Sequence, residues 1–280
     1  EHNSLRERLV KKGAVFQSTT DTEYMLHDIA SSTAPNLEQA VLDSVRQLPP
    51  AFALLVANQN YLCAVRDPCA VKPLWMARYH DGFIMASEDG AFRILDDVHD
   101  ITPINAGQAV VFNLQERTYQ THQYTQGNHM MCIFEHIYFS SPRSTYMGVM
   151  NEDFRQFCGK KVYHENKAFF DSLQGEIAVL PILDSGKQGA IGFCKASNFP
   201  YKEYFLRRHN IPKSIGRSYT ASNQQRREYV ARMKLDLRGE KVNGKTVISV
   251  DDSNIRGTTA RTNNKRLRKA GAKQIINVFV

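Results

Sequence analysis

The chain has 280 residues, 42% of them hydrophobic and 23% charged, with a mean hydropathy of −0.42. That composition excludes a disordered or fibrous protein and leaves room for one large domain or two ordinary ones. A formal charge of +8 suggests an anionic partner, with nucleic acid, a phosphorylated metabolite and plain surface solubility all left open by charge alone.

In chain order, helices are predicted over Leu5–Lys12 and Thr22–Ser31, the second with Asp21 and Thr22 as candidate caps ahead of Tyr24, Met25 and Ile29. Short apolar segments follow at Ala53–Ala57, Leu62–Val65, Gly82–Ala86 and Ala109–Asn113, separated by turn residues, and predict antiparallel strands. The longest apolar run, Ala51 to Ala57, is far too short to cross a bilayer, and no basic-then-apolar leader opens the chain. From about Glu135 the rhythm changes. Strands are expected at Ile177–Leu180, Val247–Val250 and Gln274–Val280, with helices around Gly189–Ala196 and Thr259–Ala270, a pattern of parallel strands with helical crossovers. Two domains are therefore expected, over residues 1–130 and 131–280.

Cys63, Cys69, Cys132, Cys158 and Cys194 are odd in number and never spaced as CxxC, which argues against a disulfide framework or structural zinc and fits a reducing cytoplasm. Arg207, Arg208, Lys213, Arg217, Arg226, Arg227, Arg232 and Lys234 crowd one stretch, either as an anion-binding surface or as a solvated face.

The informative segment runs from Val247 to Thr259: an apolar strand, two adjacent carboxylates at Asp251 and Asp252, a polar loop of Ser253, Asn254, Ile255, Arg256 and Gly257, then Thr258 and Thr259 opening a helix. A loop between a parallel strand and a helix aims backbone N–H groups and the helix dipole at one spot, which suits a phosphate. Gly257 permits close backbone approach, and the threonine hydroxyls add donors. The two acids would repel that phosphate, so they suit sugar hydroxyls or a magnesium ion. A sugar with a phosphate at one end and vicinal hydroxyls at the other satisfies all of it. A strand ending in a solvated acidic turn is the plain alternative, and Gly271 closing the helix weighs against it.

This segment resembles the phosphoribosyl-pyrophosphate (PRPP) motif of type I phosphoribosyltransferases. Ser18–Glu23, Arg66-Asp67-Pro68 with Lys72-Pro73-Leu74, Ala86-Ser87-Glu88, Phe134–Phe139, Asp184-Ser185-Gly186, Gly216–Tyr219 and Gln225-Arg226-Arg227 occur in the order seen in amidophosphoribosyltransferases, so the chain resembles that family over nearly its whole length. The resemblance implies an α+β N-terminal-nucleophile hydrolase-type (glutaminase) domain followed by an α/β type I phosphoribosyltransferase domain with a parallel sheet. It implies that ammonia released from glutamine displaces pyrophosphate at C1 of PRPP to give 5-phosphoribosylamine, the opening step of purine synthesis. By motif, Asp21 would hold the glutamine α-amino group. Asp251 and Asp252 would serve the ribose and, with Ser185, magnesium. Ser253, Arg256, Gly257, Thr258 and Thr259 would bind the 5-phosphate, Asp184 and Ser185 the pyrophosphate side, and Arg217 would belong to a loop closing over the diphosphate. A homo-oligomer inhibited by purine nucleotides is also implied, with no nucleic-acid or membrane partner.

The chain departs from the family pattern in several places. The family nucleophile is a cysteine at the mature amino terminus. Here the first matching residues lie well inside the glutaminase domain and the last strand ends abruptly, so the chain reads as truncated at both ends and glutaminase chemistry is not assigned to it. Cys132 stands where some members place an iron–sulfur ligand, but alone it does not support a cluster. Leu183 replaces a proline, and Asn254, Asn263, Asn264 and Arg266 replace apolar residues. Left unpaired and buried, such groups would cost about 1–3 kcal/mol each. A PRPP-binding regulator or an inactive paralogue is the competing expectation.

Overall fold

The computed structural model describes residues 2–130, 132–208, 229, 233 and 235–280. They form two compact units, Glu1–Cys132 and Ile133–Val280.

The first unit opens with three helices, α1 (His2–Lys11), α2 (Asp21–Ala30) and α3 (Leu37–Val45). The caps expected of Asp21 and Thr22 do not form. Asp21 is itself helical and accepts from the Thr22 amide at 2.9 Å. The turn before α2 is instead gathered by Glu23, which accepts from the amides of Gln17 at 2.7 Å and Ser18 at 2.8 Å. Helix α3, not foreseen from sequence, starts at Asn36, whose side chain accepts from the Gln39 amide at 2.8 Å.

Seven strands follow: β1 (Ala53–Ala57), β2 (Tyr61–Arg66), β3 (Trp75–Tyr79), β4 (Gly82–Ala86), β5 (Val98–Pro103), β6 (Gln108–Asn113) and β7 (Thr118–Gln123). All pairings are antiparallel, in sheets ordered β1-β2-β6-β7 and β4-β3-β5. Alternation along β2 explains its apolar run. Cys63 and Val65 join Val41 and Val45 of α3 in one core, while Ala64 joins Leu74, Met76 and Val110 in another, so both faces are covered.

The second unit begins with a five-residue π-helix, Glu135–Phe139, and a two-residue ladder between β8 (Thr145–Tyr146) and β9 (Val149–Met150). Helices α4 (Asn151–Glu165) and α5 (Lys167–Asp171) lead into β10 (Ile177–Pro181), and α6 (Lys187–Ser197) into a short antiparallel pair, β11 (Phe205–Arg207) with β12 (Leu235–Leu237). Strand β13 (Thr246–Asp251), helix α7 (Thr258–Lys269) and strand β14 (Gln274–Phe279) complete a parallel sheet in the order β10-β13-β14.

Period-two alternation sends Val179, Ile248 and Val250 toward Tyr163 and Phe193 of α4 and α6, and Ala178, Leu180 and Val247 toward Leu267 of α7. The α4–α6 approach is backbone to backbone: a Cβ on Gly192 would fall 1.9 Å from the Gln156 carbonyl oxygen, and one on Gly159 would fall 2.0 Å from that of Gly189.

Candidate functional site

Strand β13 delivers Asp251 and Asp252 to the carboxyl edge of the parallel sheet, where ligands of such folds collect. Register places Phe279 of β14 opposite Asp251, and the Val280 amide donates to the Asp251 carbonyl at 3.1 Å. On the other side, the Ile182 amide donates to the Val250 carbonyl at 2.8 Å. The turn beyond Ile182 lies so close that a Cβ on Gly186 would sit 2.3 Å from that same oxygen. Only glycine fits there, and its closeness brings Ser185 beside the two acids.

Gly257 takes a left-handed φ of +65° as the N-cap of α7, turning the loop into the helix. The resulting cavity of about 400 Å³ is lined by the whole run Asp251–Thr259 and by Ser185. The same cavity is also lined by Phe134, Tyr138, Phe139, Leu183 and Phe279, an apolar wall.

Burial first, then the Asp252 charge, pushes Asp251 well above the ordinary carboxylate range, opposed by the Asp252 amide and the Ser185 hydroxyl. Burial likewise raises Asp252, opposed by the Ser253 and Ser185 hydroxyls. Ser253 Oγ donates to Asp252 Oδ1 at 3.0 Å, while Asp252 Oδ2 and Thr258 Oγ1 are buried without a protein partner. Buried polar atoms are seldom left so, and these two sit on opposite flanks of the loop, one suited to a cation or hydroxyl and the other to an anion.

Among the described residues no three His, Cys, Asp or Glu side chains gather as a metal cage. Asp251, Asp252 and Ser185 nonetheless fit magnesium, which takes one or two carboxylates and completes its shell with water and substrate phosphate. The orphaned Asp252 Oδ2 supplies the open ligand atom.

Of the residues singled out from sequence, Asp251, Asp252, Ser253, Arg256, Gly257, Thr258, Thr259 and Ser185 line this one cavity. Asp184 does not: it points to solvent and pairs with Arg207. Arg217 lies outside the described residues, as do Gly216–Tyr219, the Gln225–Arg227 motif and Lys213, Arg232 and Lys234 of the basic stretch. In the first unit, a cavity of about 480 Å³ is lined by Gln17, Ser18, Thr20, Thr22, Glu23 and strand β1. Asp21 borders that run without lining the cavity.

The apolar wall was not foreseen as part of a site, though Phe134 to Phe139 stood out as a motif. It is held from beneath. Arg155 of α4, buried, donates from Nε to the His136 carbonyl at 2.6 Å and from Nη2 to the Ser140 carbonyl at 2.6 Å. His136 stacks on Phe154 at 4.4 Å and meets Asn151 Oδ1 at 2.9 Å, and its burial lowers its pKa. Among the cysteines, all unbridged, burial pushes Cys63 up to about 11 and Cys194 up to about 12, so neither is a ready nucleophile. No helix among the described residues is long and apolar enough to cross a membrane.

Comparison with known proteins adds the following. A glutamine amidotransferase domain family matches residues 1–93. The amidophosphoribosyltransferase of Staphylococcus aureus is 33% identical over 276 residues, 97% of this chain and 53% of that protein. The chloroplastic amidophosphoribosyltransferase of Vigna aconitifolia is 32% identical over 284 residues, 98% of this chain and 54% of that one. The chain thus spans about half the length of the curated relatives it matches. Among solved structures, an allosteric regulatory enzyme of purine biosynthesis superposes with a TM-score of 0.84 at 29% identity, covering 99% of this chain and 57% of that one. The glutamine PRPP amidotransferase of B. subtilis, complexed with ADP and GMP, gives 0.82 at 28%, covering 98% and 58%. The fold is therefore an N-terminal-nucleophile hydrolase-type unit followed by a type I phosphoribosyltransferase unit.

Proposed function

We propose that this chain, a relative of the amidophosphoribosyltransferases along nearly its whole length, carries the site at which ammonia displaces pyrophosphate from C1 of PRPP to give 5-phosphoribosylamine. The observation that carries the reading is the convergence of two raised carboxylates, an unpartnered Thr258 hydroxyl and the Gly257 turn on one cavity at the carboxyl edge of a parallel sheet.

The loop from Ser253 to Thr259 takes the 5-phosphate, with amides at the start of α7 as donors. Asp251 and Asp252 take the ribose hydroxyls. The two acids and Ser185 would hold magnesium, which when bound would supply charge neutralisation to the leaving diphosphate. The wall of Phe134, Tyr138 and Phe139 keeps water off C1, where it would compete with ammonia. Asp21 is proposed to bind the glutamine α-amino group, and Arg217 to help cover the diphosphate. The ADP and GMP in the B. subtilis relative support purine nucleotides as further ligands. Five unbridged cysteines support a reducing, cytoplasmic setting, and a homo-oligomer is proposed from the family resemblance alone.

The test is to supply magnesium, PRPP and ammonium and measure pyrophosphate. Release that Asp252→Asn abolishes supports the enzyme, and absence of both binding and release refutes it. The orphaned amide of buried Asn263 behind the phosphate loop favours a second reading, a PRPP-binding paralogue without turnover, for which binding without release is the signature.

A further inference from the structure

Helix α7 carries Arg261, Lys265, Arg266, Arg268 and Lys269 and no acid in its 12 residues. Arg256 precedes it and Lys273 follows. Arg266 turns back onto β12, donating to the Leu235 carbonyl at 2.9 Å. The other six cations are exposed, and none lies within 4.0 Å of a carboxylate among the described residues. Elsewhere in the unit some cations are paired, as Lys161 is with Glu165, Lys187 with Glu203, Arg207 with Asp184 and Arg238 with Glu240, while Lys160, Lys202 and Lys241 stand singly among the described residues.

An all-cationic helix face opposes its own folding, since like charges four residues apart, such as Arg261 with Lys265 and Lys265 with Lys269, repel. The helix dipole rewards cations in the last turn but not Arg261 or Lys265. What the face does have is a route to the site. Arg261, Lys265 and Arg268 share one stripe of the helix, Arg261 Nη2 donates to the Arg256 carbonyl at 2.6 Å, and Arg256 lines the cavity. At 1.5 Å per residue, Lys265 to Lys269 sit about 10–17 Å along the axis from Thr258. Charges act over that distance when salt is low.

We propose that the solvent face of α7 is an electrostatic collecting surface that draws a multiply charged sugar phosphate toward the loop at the helix start. The proposal rests on the phosphoribosyl reading of the cavity and adds residues that never touch the ligand. Three of them, Lys265, Arg268 and Lys269, lie outside the binding loop and can be neutralised together without changing any contact described above.

The experiment is calorimetric titration of the full chain with magnesium PRPP, for wild type and the triple variant K265Q/R268Q/K269Q, at about 20 mM and about 500 mM salt. The triple variant is expected to bind about tenfold more weakly at low salt and to match wild type at high salt. The charge-preserving K265R/R268K/K269R is expected to bind as wild type does, and unchanged melting of both variants shows that the fold is intact. Equal affinity of wild type and the neutralised variant at low salt overturns the collecting surface and leaves the cavity assignment standing. Wild type that does not bind at all overturns both. A single-stranded oligonucleotide titrated in parallel covers the other polyanion: affinity for it lost in the neutralised variant, with PRPP affinity unchanged, overturns the proposal in favour of a nucleic-acid surface.

Discussion

Asp251 and Asp252 show how a site can oppose the fold that holds it. Both are raised by burial, and Asp251 further by its neighbour's charge. A carboxyl whose pKa is higher in the fold than in the unfolded chain binds its proton more tightly when folded. Its protonated form stabilises, and that stability is lost as pH rises through the folded value. Above both folded values the ligand-free protein therefore carries an ionised, repelling pair. Asp252→Asn removes one charge while keeping an acceptor for Ser253. Its ligand-free melting temperature is expected to exceed wild type at neutral pH, with the gap closing as pH falls toward about 4, where the unfolded carboxyls also protonate. Affinity for magnesium PRPP should fall by about 100-fold or more, since a charged ligand atom is lost. Melting curves across pH and a titration check both halves, and a lower melting temperature for the variant would make Asp252 a structural residue instead.

At the scale of elements, α7 explains which polar substitutions matter. Arg266 was expected to thin the apolar face of this helix at a cost, yet it lies over the Phe205 ring at 5.9 Å and is bonded to the Leu235 carbonyl, so its polar end is satisfied. Asn263 is the costly one, 2% exposed with both amide atoms unpartnered. Asn263→Leu is expected to raise unfolding free energy by about 1–3 kcal/mol in a denaturant titration. No gain would mean that water or a shifted amide satisfies the group. The α4–α6 crossing predicts the opposite sign. Gly192→Ala places a methyl against the Gln156 backbone, which cannot yield as a flexible side chain would, and the same titration should show a loss of about 1–3 kcal/mol.

These elements also show what could be read beforehand. β13, α7 and β14 were legible because an apolar run, a capping glycine and a closing Gly271 (φ +85°) are local signals. Helices α3 and α4 were not, because Asn36 is an isolated cap and α4 meets its neighbour through glycines, leaving little apolar periodicity to see. The turn from Ser253 to Gly257 was legible for the same local reason. The aromatic wall was not, because sheet register and a buried Arg155, both set by residues distant in sequence, place it.

At the scale of the whole chain, every described group proposed to act on PRPP belongs to the second unit, from Phe134 to Thr259. A site complete in this sense should accept ammonia from solution, without glutamine. The nucleophile must be the free base, because ammonium has no lone pair to offer C1. With total ammonium and PRPP held fixed, pyrophosphate release should therefore rise with pH on the alkaline side of neutrality. The acids support the same direction, since in the proposed role Asp251 and Asp252 would serve magnesium and ribose only when ionised, and their raised pKa values delay that ionisation. Both effects oppose activity at low pH, so the profile is expected to climb steeply from the acid side and to flatten only when ammonium is largely deprotonated. Measuring release at several total ammonium concentrations separates the two, because the ammonia effect scales with free base while the carboxylate effect does not. A rate independent of free ammonia would mean that water attacks C1, and the apolar wall would then have no part in choosing the nucleophile.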